Sequence, residues 1–252
     1  MKNMTLSAKL FIGAMVAAGL ASLGSGLTHW ECKDPLRFLS FLAIAALASR
    51  LKVKLPGSNS NMSVNLPFIL VAVAVLSRGE VLVIAAVSAF TQCLPAKGKS
   101  LRLEQVLFNV CTLLGAVTAA AFAYHRAAMY PTVAVKSLLI ATAGAAFLLA
   151  DTLPVATVIS LTERLRVVRV WYDILHLTFP YFGLSAGIAA IAATATHYVG
   201  WLTPVLALPV MGAVYFSFKR YFHQAIIGMA NLQFAATNAA RKGTHSLLSI
   251  HY

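Results

Sequence analysis

The sequence predicts an all-α protein, a polytopic bundle of transmembrane helices with about eight spans. Apolar residues make up 60% of the 252 positions and charged residues only 11%, whereas a soluble domain carries about 25% charged residues. Long apolar runs recur along the chain, and most of its cations lie in alternate segments between these runs. Together these observations predict a chain solvated mainly by lipid.

Eight apolar runs have the pattern of membrane helices, each of which needs about 20 residues to cross a hydrocarbon core of about 30 Å. They are residues 9–27, 36–51, 64–76, 81–94, 104–124, 133–162, 172–196 and 202–218. The third and fourth runs are short, so we expect them to form a thin hairpin or to extend into the interface through polar flanks. The span count is therefore seven or eight.

The distribution of Lys and Arg predicts that both termini lie in the cytoplasm. With the N-terminus inside, 15 of the 20 basic residues fall in inner segments, as the positive-inside rule requires. The formal charge of +13 is thereby explained by topology and by contact with anionic lipid, not by nucleic-acid binding. The five outer cations are Lys33, Arg37, Arg78, Arg126 and Lys136.

Two domains of unequal size are expected. Residues 1–222 form the membrane domain, and the weakly amphipathic tail 223–252 lies at the inner interface or binds a partner. The turn-rich segment 56–61 predicts an inner loop. The first apolar run lacks a convincing Ala-x-Ala cleavage site, so it is interpreted as a retained helix and not as a signal peptide. Small residues in this first run and at 143–146 predict close helix packing.

Asp151 lies within the longest apolar run, where a carboxylate is costly unless something offsets it. Pro154 follows it and allows a kink in the helix. Several other polar residues fall in the inner half of the predicted bundle, and they suggest a ligand-binding pocket that opens inward. Structural hydrogen bonding between helices is the alternative for the same residues. The candidate set is Asp151, Thr152, Gln92, Asn109, His176 and Asn65.

No enzyme and no metal site are predicted. The histidines form no HxxxH or HExxH pair, and a nucleophile elbow, P-loop and Gly-rich dinucleotide loop are all lacking. His125 and His197 share the predicted outer face, which permits a haem axial pair or pigment ligands, but histidines that snorkel to the interface are the favoured explanation. No cofactor is therefore predicted.

Several segments, in order, resemble the N-terminal membrane module of bacterial signalling proteins. That module precedes HD-GYP cyclic-di-GMP phosphodiesterase or GGDEF cyclase domains. The matching segments are LKVKLPG at 51–57, NMSVN at 61–65, FIL at 68–70, QVLFNV at 105–110, DTLPVA at 151–156, LTE at 161–163, Trp171, FPY at 179–181, YVGW at 198–201 and LPV at 208–210. The resemblance implies a multi-pass protein of the bacterial cytoplasmic membrane.

The sequence departs from these proteins after residue 222, because no HD-GYP or GGDEF domain follows. We therefore expect a non-catalytic membrane module that senses or binds a ligand, or docks a separate protein partner. One alternative is an accessory subunit of a larger respiratory or photosynthetic membrane complex. Another is a substrate-binding transporter subunit, since the Leu-Pro-Gly loop before a short apolar hairpin resembles vitamin-binding S-components of energy-coupling transporters.

Overall fold

The computed structural model describes residues 5–28, 30–54, 61–94, 102–126, 133–217, 219–221, 224 and 227. This part of the chain is almost entirely helical, which confirms the predicted all-α class. Two three-residue strands, which pair with each other, are the exception. The elements are α1 (Leu6–Thr28), α2 (Pro35–Ser49), β1 (Lys52–Lys54), β2 (Asn61–Ser63), α3 (Leu66–Val75), α4 (Arg78–Cys93), α5 (Leu103–Arg126), α6 (Val133–Glu163), α7 (Val167–Val199), a 3-10 turn (Gly200–Leu202) and α8 (203–217).

Each of the eight helices overlaps one of the eight predicted runs. Five stretches are long and apolar enough to cross a membrane: Leu6–Thr28, Leu103–His125, Val135–Glu163, Val167–Thr196 and Gly200–Tyr221. The helices α2 and α3 are apolar but shorter, and α4 has 16 residues. The chain thus has the helices of a multi-pass membrane protein, and the count of eight spans stays a prediction.

The chain divides into two compact units. The first comprises Met1–Leu51 and Ser63–Leu208 and holds α1 to α7. The second comprises Lys52–Met62 and Pro209–Tyr252, and in it the Lys219 ammonium lies 5.6 Å from the centre of the Tyr215 ring. The predicted tail 223–252 and loop 56–61 lie almost wholly outside the described residues, so both stay predictions.

Helix α3 is the most enclosed element of the first unit. Eight consecutive residues, from Leu66 to Val73, are buried, as expected for a helix that is hydrophobic all round. Its ten residues span only about 15 Å, and it packs against α7, α5, α4, α2 and α6. Ser77 then starts α4 through a capping box with Glu80, which fixes a tight turn between the two helices.

Glycines let α1 approach its neighbours closely, which confirms the predicted packing role for part of its small-residue face. A Cβ atom at Gly19 would overlap Cys111 of α5, and one at Gly26 would overlap Leu82 of α4. Gly13 and Gly24 have no atom within 4 Å of the same position. Only one side of α1 therefore uses its small residues to pack within the described chain.

Candidate functional site

The ends of five helices meet around a cavity of about 390 Å³. α2 and α6 begin there, whereas α3, α5 and α7 end there, so neighbouring helices alternate in direction. The polar part of the wall consists of Arg37, Tyr124, Lys136, Thr194 and Thr196. The apolar part consists of Ala74, Val75, Ile140 and Ala193. We name this space the Arg37–Lys136 cavity.

The start of α2 positions Arg37. Asp34 caps the helix by accepting a hydrogen bond from the Arg37 backbone N–H at 3.0 Å, and Pro35 fits the first turn because it needs no N–H partner there. The Asp34 carboxylate also lies 3.3 Å from Arg37 Nε, but this buried nitrogen has no aligned hydrogen-bond acceptor in the described chain. The guanidinium therefore lies at the cavity wall with at least one N–H donor, at Nε, that makes no hydrogen bond in the described chain.

Lys136 lies in the first turn of α6 and its side chain is exposed. All seven carboxylate side chains of the sequence fall within the described residues. The ion pairs among those residues are Lys33 with Glu31 and Arg37 with Asp34, so Lys136 has no carboxylate partner there. The cavity wall consequently carries excess positive charge.

The threonine hydroxyls on the wall are already committed as donors. Thr194 donates to the Ala190 carbonyl and Thr196 to the Ala192 carbonyl, both at 2.9 Å along α7. A hydroxyl has one proton and two lone pairs, so these groups retain only acceptor capacity toward a ligand. The charged donors at the wall are those of Arg37 and Lys136, and the Tyr124 hydroxyl can donate or accept.

A second polar region lies about halfway along α7, where Tyr181 meets the start of α3. The Tyr181 hydroxyl donates to the Ser63 carbonyl at 2.9 Å and accepts from the Leu66 N–H at 3.3 Å. Tyr181 is 14 residues from the first residue of α7, hence about 21 Å along it. Non-helical backbone at such depth is tolerated when protein groups satisfy it, as this hydroxyl does.

Two of the predicted site residues, Asp151 and Asn65, lie near Tyr181, and a third, Thr152, directly follows Asp151 in α6. We name these three, with Tyr181 and Trp171, the Tyr181 cluster. Thr152 donates to the Leu148 carbonyl at 2.6 Å and accepts from the Trp171 indole N–H at 3.0 Å. Asp151 lies within electrostatic range of the Tyr181 hydroxyl. Asn65 precedes α3 and accepts from the Ser63 hydroxyl at 2.7 Å, while its buried Nδ2 has no acceptor among the described residues.

The other three predicted residues lie apart from this cluster. Asn109 is exposed on α5, and its Nδ2 lies 3.4 Å from Cys93 Sγ at the end of α4. Gln92 is half-buried beside Cys93, and His176 is exposed with its ring stacked on Tyr172 at 6.4 Å. Within the described chain, no hydrogen bond joins these three side chains to Thr152 or Asn65. Hydrogen bonds therefore do not connect the six predicted residues into one site.

The two histidines considered for a cofactor lie near the ends of α5 and α7. The His125 ring meets the Tyr124 ring edge-on at 5.2 Å. The side chain of His197 is not among those described, so the suggested haem or pigment pairing stays untested. In the described residues, no three His, Cys, Asp or Glu side chains converge as metal ligands would.

Sequence reasoning missed the residues that build the cavity. Arg37 and Lys136 entered the prediction only as outer charges. One signal was present: both cations lie inside the first turn of a helix, not in the preceding loop. Tyr181 lay within a segment that carried the resemblance, but nothing in its neighbourhood indicated a partner 115 residues earlier.

Comparison of the chain with protein-family models, with curated proteins and with solved structures gives no match in any of the three.

Proposed function

We propose that this chain is a non-catalytic membrane module that binds a small ligand in the Arg37–Lys136 cavity. The cavity carries the proposal: its volume of about 390 Å³ lies within the range of about 300–1,000 Å³ for small-molecule sites. Its wall combines an apolar surface with a few polar groups, the usual composition of such sites.

In this proposal the chain crosses the bacterial cytoplasmic membrane eight times, with both termini inside. The concentration of cations in alternate segments supports that orientation. Arg37 and Lys136 both belong to the outer group, so the cavity opens away from the cytoplasm. The ligand is then captured at the outer surface or from the outer leaflet.

Helix α3 supplies a route from the cavity to the interior of the bundle. Ala74 and Val75 at its end line the cavity, and Leu66 at its start is bonded to Tyr181. A ligand that displaces the end of this short helix changes the geometry at its start. A separate cytoplasmic partner reads the change through the inner loops or the tail, as the resemblance to sensor modules suggests.

Native mass spectrometry of the protein extracted in mild detergent tests the proposal. We expect the chain alone, or as a dimer, to carry a small molecule that Ala193→Phe displaces by filling the cavity. Ile191→Phe is the matched control, because Ile191 lies on the same helix but is 75% exposed and not on the wall. A single large stoichiometric complex without a small molecule would instead support an accessory subunit.

A further inference from the structure

We infer that the ligand of the Arg37–Lys136 cavity is an amphipathic organic oxyanion, a carboxylate or a phosphate ester with a short apolar part. This inference rests on the proposed function and adds the chemical class of the ligand. It draws on the charge of the wall, on the direction of its hydrogen bonds and on the position of its apolar residues.

Charge is the first argument. Arg37 and Lys136, from different helices, line the same cavity. Among the described residues, Arg37 forms an ion pair with Asp34, and Lys136 forms none. Two cations and one anion leave a surplus of one positive charge. An anion between α2 and α6 offsets that surplus and forms charge-assisted hydrogen bonds with both helices.

Hydrogen-bond direction is the second argument. The Thr194 and Thr196 hydroxyls already donate to backbone carbonyls. The charged donors facing the ligand are the guanidinium and the ammonium, and the Tyr124 hydroxyl beside them can donate or accept. The ligand must therefore supply acceptors. A carboxylate or phosphate presents several acceptor oxygens and matches the guanidinium fork, whereas a cationic ligand would be repelled.

The apolar wall limits the rest of the ligand. Ala74, Val75 and Ile140 present apolar side chains to the cavity. A hydrated inorganic anion would leave this apolar surface in contact with water, so no free energy would be gained from its burial. A short alkyl or aromatic group beside the oxyanion covers it. The same chemistry is found in the headgroup region of an anionic lipid and in a free organic acid or phosphate ester, so the test must separate these two sources.

Titration calorimetry on the full chain in phosphatidylcholine nanodiscs, with butyl phosphate and butanol as probes, tests the inference. We expect butyl phosphate to bind at least about tenfold more tightly than butanol, and Lys136→Gln to remove at least about tenfold of its affinity, as loss of a charged hydrogen bond would. Lys136→Arg keeps the charge and should retain binding. Lys33→Gln is the matched control, because Lys33 is an 89% exposed cation of the outer group that does not line the cavity.

The outcomes separate the inference from the function it rests on. If butanol binds as well as butyl phosphate, and Ala193→Phe abolishes both, the cavity is a binding site but the oxyanion class is wrong. If neither probe binds, both the inference and the proposed function fail. Equal losses in Lys136→Gln and Lys33→Gln would show general surface attraction and would also overturn the inference.

A second arm identifies the source of the anion once butyl phosphate is bound. The protein is released from phosphatidylglycerol nanodiscs and weighed by native mass spectrometry. One retained phosphatidylglycerol that is lost in Lys136→Gln but kept in Lys33→Gln assigns the site to a lipid headgroup. Equal lipid retention in both variants assigns it to a water-soluble carboxylate or phosphate ester.

Discussion

The Arg37–Lys136 cavity and the Tyr181 cluster lie at opposite ends of the same short helix, and their polar groups are used differently. In the cluster, Tyr181 and Thr152 each donate one hydrogen bond and accept another from the protein. In the cavity, Lys136 has no carboxylate partner in the described chain. Polar groups that satisfy one another hold helices together, whereas a cation left without a carboxylate partner at a cavity wall indicates a ligand.

Tyr181→Phe should have the largest effect on stability. It removes the partner of two buried backbone groups, the Ser63 carbonyl and the Leu66 N–H, and each unsatisfied group costs about 1–3 kcal/mol. We expect the free energy of unfolding in mixed micelles to fall by about 2 kcal/mol. Tyr172→Phe is the control, because Tyr172 is 64% exposed on the same helix. Equal effects in the two variants would refute the structural role of the hydroxyl.

Thr152→Val should have an intermediate effect. Valine keeps the shape of threonine but leaves the Trp171 indole N–H without its acceptor, so the free energy of unfolding should fall by about 1 kcal/mol. Tryptophan fluorescence should change as well. Thr157→Val is a close control, since the Thr157 hydroxyl also donates to the carbonyl four residues earlier, through a hydrogen bond that is exposed. Matching losses in both variants would mean that the indole bond contributes nothing.

Cys32 tests which side of the membrane the cavity faces. It lies between α1 and α2, and a hydrogen bond to the Glu80 carboxylate, with burial and nearby negative charge, raises the pKa of its thiol. The reactive thiolate is then scarce at neutral pH. An impermeant maleimide should label Cys32 slowly in intact cells, and Glu80→Gln should speed the reaction by lowering that pKa.

Two controls accompany this measurement. Glu31→Gln removes a nearby exposed carboxylate that pairs with Lys33 and should leave the labelling rate unchanged. Labelling that requires broken cells would place the cavity end in the cytoplasm and reverse the proposed orientation.

Asp151→Asn should have the smallest effect on binding. Asp151 belongs to the Tyr181 cluster and does not line the cavity, so the affinity for butyl phosphate should change by less than about twofold. The free energy of unfolding should not decrease, since a neutral amide of the same size avoids the penalty for a charge in the bilayer. A tenfold loss of affinity would show that the two regions act as one site.

Hydropathy predicted the helices well, because a helix surrounded by lipid must be apolar over most of its length. All eight predicted runs overlap observed helices, although α3 is shorter than its run and α7 begins five residues earlier. The location of the site was harder to predict. Asp151 drew attention because it is rare in an apolar run, but the cavity depends on Arg37 and Lys136. These two residues lie 99 positions apart and line one cavity only because the starts of α2 and α6 lie at the same end of the bundle. A single sequence does not show which helix ends lie together in the fold.

Helix α3 also constrains the order in which the protein assembles. Its ten residues are too few to cross a bilayer unaided, since a span needs about 20. In the proposed eight-span topology it therefore enters the membrane as a hairpin with α4. Its buried start then lacks its polar partner, because Tyr181 is synthesised 115 residues after Leu66. At about 5–20 residues per second, that delay is of the order of ten seconds. During this interval we expect the insertion machinery or α5 to cover the start of α3, until α7 is made and Tyr181 can accept the hydrogen bond from the Leu66 N–H.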